Sequence, residues 1–343
     1  MTDILIRIEG RAGRVTLNRP AALNALSYPM CLTLDAALVA WRDDPAVDLV
    51  VIDAEGPRAF CAGGDIAQLY AEGIAGNHAH GQEFWRDEYR MNARIDAYPK
   101  PVVSLIQGFC MGGGVGVACH ASHRIVGESA QVAMPECAIG MVPDVGGSAL
   151  LARAPGLLGL YLGTTGARMG PGDAIFAGFA DVFVPQADWP ALIARLCETG
   201  DVGVIAPQPA PPARLPALQP QIDRLFAAPT LAAIIAGLRA EDSDFARETL
   251  AALTRVSPLG AALTLAMLRN LGPAPDLKVA LEQEYRVTFR AQADTDFLEG
   301  IRAMIIDKDR KPQWRHASAE AVTDAELAAL LAPLGTQTLT FPE

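Results

Sequence analysis

The chain has 343 residues, 51% hydrophobic and 20% charged, with a net charge of -11. That composition is ordinary for a globular protein, and the acidic balance argues against general nucleic-acid binding, which needs a basic surface. It leaves an anionic small ligand open, because a local basic patch or a helix start is enough to hold one.

The length allows a large core and more than one folding unit. The opening MTDILIRIEGRAGRVTLNRP alternates as a strand pair and lacks the apolar stretch of a signal peptide. No run of about 18 apolar residues occurs, so no membrane span is expected. The cysteines at 31, 61, 110, 119, 137 and 197 form no CxxC pair, and several sit in apolar runs. They read as free, buried thiols in a reducing compartment, and the expected location is cytoplasmic. His78 and His80 lie on a loop-like stretch with no third ligand near, so no metal site is expected.

After the first two strands, Ser27 is a plausible N-cap for a helix to about Asp43. Met30, Leu34, Ala37, Leu38 and Trp41 recur there at helical spacing. DLVVIDAE reads as a short buried strand, and CAGGDIAQLY as a glycine turn entering a helix. PVVSLIQGFCMGGGVGVACH repeats that order, HRIVGES and AQVAMPE are short strands, and DVFVP is a returning strand. Strand–turn–helix thus recurs through about residue 185, which predicts an α/β layer structure with repeated crossovers. Six prolines between Pro207 and Pro220 predict an extended linker, and the pattern beyond it is helical nearly to the end. The expected organisation is a catalytic core over residues 1–205, a proline-rich linker over 206–220 and a helical region over 221–343.

Three places carry candidate chemistry. FCAGGD (Phe60–Asp65) and MGGGVG (Met111–Gly116) each follow an apolar strand, pack glycine into the turn and open a helix. Glycine permits φ > 0 and close approach, and a helix start leaves N–H groups without partners. Facing each other, two such turns would offer two donors to one oxygen; each alone also fits tight helix–strand packing. Neither is a GxGxxG dinucleotide motif. In EFWRDEYRMNARI, Glu88 shares a helical stripe with Phe84, Met91 and Ile95. Its carboxylate is either buried for a purpose or escapes to water, Arg86 or Arg94. Finally, MPECAIGMVPDVGG (Met134–Gly147) sets Glu136 and Asp144 in a largely apolar stretch, where they either cap turns or act as a pair with shifted acidity.

These residues, with NRPAALNAL, YPKPVV and LGTTGARMGPGDAIFAGFADVFV, resemble the crotonase (enoyl-CoA hydratase/isomerase) superfamily. FWRDEYRMN, VPDVGG and EYRVTFRAQADTDFLEGIRAMIIDKDRKPQW make the chain most similar to the 3-hydroxyisobutyryl-CoA hydrolases within it. The resemblance implies a crotonase-like spiral of repeated ββα units with a helical C-terminal region. It implies an acyl-CoA substrate, no separate cofactor, and thioester cleavage of a short 3-hydroxyacyl-CoA. The oxyanion-hole amides fall on Gly64 and Gly113, and the substrate-contacting acids on Glu88, Glu136 and Asp144. Hydratases of the superfamily place a catalytic Glu where this chain has Gly116, a departure that favours hydrolysis over hydration. An enoyl-CoA hydratase or isomerase, and a non-catalytic acyl-CoA-binding protein, are the alternatives. Arg19, Lys100, Lys308, Arg310 and Lys311 are candidates for the CoA phosphates, and a homo-oligomer is left open.

Overall fold

The strands of this protein are short and nearly all apolar, which is the signature of a parallel sheet covered on both faces. A computed structural model describes residues 2–342. By its internal packing the chain divides into two compact units. One takes the residues up to Asp65, Asp87–Ala133 and Arg168–Arg214; the other takes Ile66–Arg86, Met134–Ala167 and Leu215 onward.

The first unit holds all nine strands described: β1 Ile4–Glu9, β2 Ala12–Leu17, β3 Leu49–Ala54, β4 Ala59–Cys61, β5 Val102–Ile106, β6 Phe109–Met111, β7 His123–Val126, β8 Gln131–Ala133 and β9 Val182–Phe183. Six form one sheet in the order β1-β2-β3-β5-β7-β9, and three form a second, β4-β6-β8. Only β1 and β2 run antiparallel, with Ile6 opposite Val15. The pairs β3–β4, β5–β6 and β7–β8 each send their first strand to the large sheet and their second to the small one. With a helix or helical turn after each pair, the ββα unit expected from the sequence repeats three times.

Ser27 caps the helix Tyr28–Trp41, its Oγ accepting from Met30 N at 3.4 Å, and the predicted apolar stripe is buried. Gly13 lets that helix approach: a Cβ there would stand 2.5 Å from the Trp41 ring. On the large sheet Ala12, Leu49, Val51, Val103, Leu105 and Ile125 pack with Trp189, Leu192 and Leu196 of the helix Trp189–Thr199. Each such side chain removed from water contributes roughly 1.5–3 kcal/mol, so this packing is what holds the sheet.

The second unit is helical. Val142 packs with Leu259, Leu263 and Met267 of Pro258–Leu271, Val287 of Leu277–Thr288 and Leu330 of Asp324–Leu331. Two expectations are corrected. The proline-rich stretch is extended only to Arg214, because Leu215–Phe226 is a helix with Pro220 inside it. Leu215, Ile222, Leu225 and Phe226 are buried on one side of that helix, and their burial outweighs one backbone bond lost at Pro220. His78 and His80 lie in the first turn of the helix His78–Asp96, not in a loop.

Candidate active site

In the first unit, β4 and β6 end side by side, Cys61 paired with Cys110. Gly63 takes φ +121°, a conformation closed to side-chain-bearing residues, and Gly64 forms a parallel bridge with Leu26. Gly112, at φ +49°, caps the helix Gly113–Ala118. A Cβ on Gly113 would stand 3.2 Å from Gly64 N and 3.0 Å from Glu88 Oε1. One on Gly114 would stand 2.2 Å from the Cys61 carbonyl oxygen. The two glycine turns therefore meet, and glycine is required there because backbone touches backbone. Neither the Gly64 nor the Gly113 N–H donates to a backbone carbonyl among the described turns and loops. The arrangement can present both donors to one ligand oxygen.

Glu88 is 3% exposed, and Phe84, Met91 and Ile95 of its stripe are buried with it. Arg94 is engaged elsewhere, with Asp35 at 2.7 Å. Burial raises the Cys61 thiol to about 12, and the Glu88 charge adds to that. One turn on, Asn92 is fully buried with neither end of its amide hydrogen-bonded among the described residues. The sequence reading passed over Asn92, although it follows Glu88 by one helical turn.

In the second unit, Glu136 opens the 3-10 turn Glu136–Ile139. Gly140, at φ +74°, ends that turn, and Met141 N donates to Glu136 O at 3.0 Å. Glu136 is 6% exposed, and its Oε2 has no hydrogen-bond partner among the described residues. Burial pushes its pKa far above the ordinary carboxylate range, with Asp144 next and Glu284 a lesser cause. Asp144 is 7% exposed and leads into Val145 and Gly146, at φ +53° and +79°. Glu136 and Asp144 thus share a buried environment close enough for each charge to oppose the other.

Sequence reasoning missed Glu284. It sits on the helix Leu277–Thr288 at 0% exposure. Its Oε2 accepts from Gly146 N at 2.8 Å and its Oε1 from Ser148 N at 3.0 Å. The Ser148 hydroxyl donates to Oε1 as well. Burial raises it to about 8, against the opposing pull of these three bonds, and Asp144 adds a smaller push. The signal was the one that marked Glu88: an acid on a stripe of Leu277, Ala280, Leu281, Tyr285 and Thr288.

A stability prediction follows from that carboxyl. Unfolded, Glu284 ionises near its ordinary value of 4.5; folded, it holds its proton to about 8. The unfolded chain therefore binds fewer protons between those values, and stability falls as pH rises from about 4.5 to about 8. The Tm of the parent is expected to drop across this window and that of Glu284→Gln to drop less, by differential scanning fluorimetry. Parallel curves would show that Glu284 does not titrate there.

Of the candidate phosphate ligands, Arg19 is committed to Asp65 at 3.1 Å and Asp3 at 3.4 Å. Lys100 Nζ donates to the carbonyls of Trp41 and Asp44 at 2.6 and 2.7 Å. Lys308, Arg310 and Lys311 are exposed. The six cysteines are buried and unbridged.

A family described as enoyl-CoA hydratase/isomerase matches residues 12–331. The chain belongs to that family. It is 39% identical to a 3-hydroxyisobutyryl-CoA hydrolase, mitochondrial, of Xenopus tropicalis over 98% of this chain and 90% of that one. A structure described as an enoyl-CoA hydratase from Rhodobacter sphaeroides superposes with TM-score 0.97 at 66% identity, covering 99% of this chain and all of the other. One described as a carnitinyl-CoA dehydratase from Mycobacterium thermoresistibile gives 0.95 at 40% identity, covering 99% of each. The fold is the crotonase fold with a helical C-terminal region, as expected. The expected cytoplasmic location is corrected: the Xenopus relative is named mitochondrial, so the cytoplasmic reading does not stand. Buried free thiols report a reducing environment, and that does not single out one compartment.

Proposed function

We propose that this chain is an acyl-CoA thioester hydrolase that cleaves 3-hydroxyisobutyryl-CoA to 3-hydroxyisobutyrate and CoA. That substrate would place the reaction in valine breakdown. The observation that carries the reading is full-length likeness to a relative of that name, combined with Gly116 where a hydratase needs a carboxylate.

The amides of Gly64 and Gly113 take the thioester oxygen as it gains negative charge, and each such donor is worth ~3 kcal/mol of barrier. Glu136 supplies the attack, either with its own carboxylate or by deprotonating a water. In the first case a C–O bond to Glu136 forms as the C–S bond breaks, and water then cleaves that anhydride; in the second the water oxygen forms the C–O bond directly. Asp144 holds the water or substrate hydroxyl or delivers a proton to the departing sulfur. Glu88 accepts the hydrogen bond of the 3-hydroxyl. Crowded, buried acids favour this division of labour, because at least one of them stays protonated near neutrality and can act as the acid.

A second reading, hydration of an enoyl-CoA, has in its favour the Rhodobacter structure's description. A panel of short acyl-CoA thioesters separates the two. CoA release, followed with a thiol reagent, is expected to be fastest with 3-hydroxyisobutyryl- and 3-hydroxypropionyl-CoA, with no loss of crotonyl-CoA absorbance. Faster hydration of crotonyl-CoA than release of thiol from any substrate would overturn the reading. Tight acyl-CoA binding without turnover would point to a binding protein.

A further inference from the structure

We infer that Glu284 is a positioning residue for the reaction: it clamps the strained turn Asp144–Gly146 and so fixes the direction of the Asp144 carboxylate. This rests on the role proposed for Asp144. Four observations from the second unit lead to it.

The first is where the hydrogen bonds go. A fully buried carboxylate normally sits opposite an arginine or lysine. The hydrogen-bond partners of Glu284 are instead Gly146 N, Ser148 N and Ser148 Oγ, three donors within three residues of one another. Both carboxylate oxygens are used, so the side chain grips the segment from two directions.

The second is the backbone it grips. Val145 takes φ +53° and Gly146 φ +79° in succession. A β-branched residue in the left-handed region is strained and persists only where surrounding contacts over-determine it. Val145 is buried, at 1% exposure, which supplies one contact, and Glu284 supplies the hydrogen bonds on its far side.

The third is the link to Asp144. Gly147 N donates to the Asp144 carbonyl at 2.7 Å, closing the turn between the clamp and the acid. Rotation at 145 or 146 would swing Asp144, whereas the helix Gly147–Arg153 beyond the clamp would be left in place. Gly147 itself packs against the Met134 side chain, whose Cε would lie 2.3 Å from an added Cβ, so the segment is covered on that side.

The fourth is proximity. Glu284 lies near enough for its charge to bear on Glu136, and that of Asp144 bears on Glu284. A helix cap alone does not require an ionisable group beside two acids. Ser or Asn would cap this helix start without that repulsion. A carboxyl group offers one oxygen to Gly146 N and the other to Ser148, which neither Ser nor Asn can do from this helix.

The test compares Glu284→Gln, Ser148→Ala and Asp144→Asn in the full-length protein, by steady-state CoA release well below each Tm. Gln turns an N–H donor toward one of the backbone donors and opens the clamp. Its kcat is expected to fall at least 30-fold, with KM within threefold. Ser148→Ala removes one bond and keeps both backbone donors, so kcat is expected to fall about three- to tenfold with Tm nearly unchanged. Asp144→Asn is expected to lose at least 100-fold. If Asp144→Asn is inactive while Glu284→Gln and Ser148→Ala keep kcat within twofold, the positioning role is wrong and the role of Asp144 stands. If Asp144→Asn keeps activity within tenfold, the role of Asp144 itself is wrong. Should Glu284→Gln fail to fold, Ser148→Ala decides alone. A fall in kcat accompanied by a comparable fold-rise in KM and a clearly lower Tm would reduce Glu284 to a structural cap and overturn the proposal.

Discussion

Glu136→Gln is expected to lose at least a thousandfold in kcat for thioester cleavage, to bind acyl-CoA as the parent does, and to melt at a higher temperature than the parent. The three outcomes have one cause. Glu136 is 6% exposed, its Oε2 has no hydrogen-bond partner among the described residues, and Asp144 and Glu284 press on its charge. Nothing in that environment rewards a carboxylate in the resting protein. Gln keeps the shape and removes the repulsion, so the fold gains by a kcal/mol or more on the usual scale of buried polar changes. It cannot attack a carbonyl or accept a proton from water, and the contribution of such a group is about 10²–10⁴-fold, more where it is the nucleophile. A residue that weakens the fold and is still there is retained for chemistry. The check is thiol release beside differential scanning fluorimetry on the same preparations. A variant that stays within tenfold of the parent would remove Glu136 from the mechanism. A variant that melts markedly lower would show the carboxylate to be structural.

The same physics explains which parts of the site the sequence revealed. Glu88 was legible because its helix is regular, so a three- and four-residue spacing is enough to place it among Phe84, Met91 and Ile95. The glycine turns were legible because only glycine tolerates the backbone at Gly63 and Gly112. That the two turns meet was not, since it depends on the parallel pairing of β4 with β6 across some fifty residues of chain. Glu284 obeyed the rule that exposed Glu88, but its meaning lies in three donors from 136 to 138 residues earlier. No local pattern encodes that distance. The helix Leu215–Phe226 was hidden for a different reason. Proline reads strongly as a breaker, and four apolar residues on one face outweighed it only once the neighbours they pack on were in place. What the segment over residues 66–86 packs on was not legible either. Its packing partners lie beyond residue 288, as in Gln292 Nε2 to Leu69 O at 2.7 Å and the Trp85–Phe297 ring contact.

Gly113→Ala is expected to lower kcat about 10²–10³-fold while the protein folds with a Tm within a few degrees of the parent. Alanine suits a first helical position, and Gly113 does not occupy the left-handed region, so the backbone has no objection. The added methyl is the difficulty. It would stand 3.0 Å from Glu88 Oε1 and 3.2 Å from Gly64 N, in the gap where the two amides meet. The Glu88 end can shift by a few tenths of an ångström; the Gly64 amide is held by its bridge to Leu26 and shifts less readily. On the proposed role of these amides, the donors are then no longer aimed at one point, and a misaimed oxyanion donor costs ~3 kcal/mol of barrier, about two orders of magnitude in rate. Gly64→Ala provides the stability control, because a Cβ there meets nothing within 4 Å and its Tm is expected to match the parent's. The measurement is kcat and KM for CoA release from 3-hydroxyisobutyryl-CoA, with a non-hydrolysable thioether analogue to follow ground-state binding. Activity within threefold of the parent in Gly113→Ala would mean that the thioester oxygen does not sit at the meeting point of the two turns. A loss confined to KM would mean that the turns hold the substrate equally well before and during reaction, and give no preference to the charged oxygen.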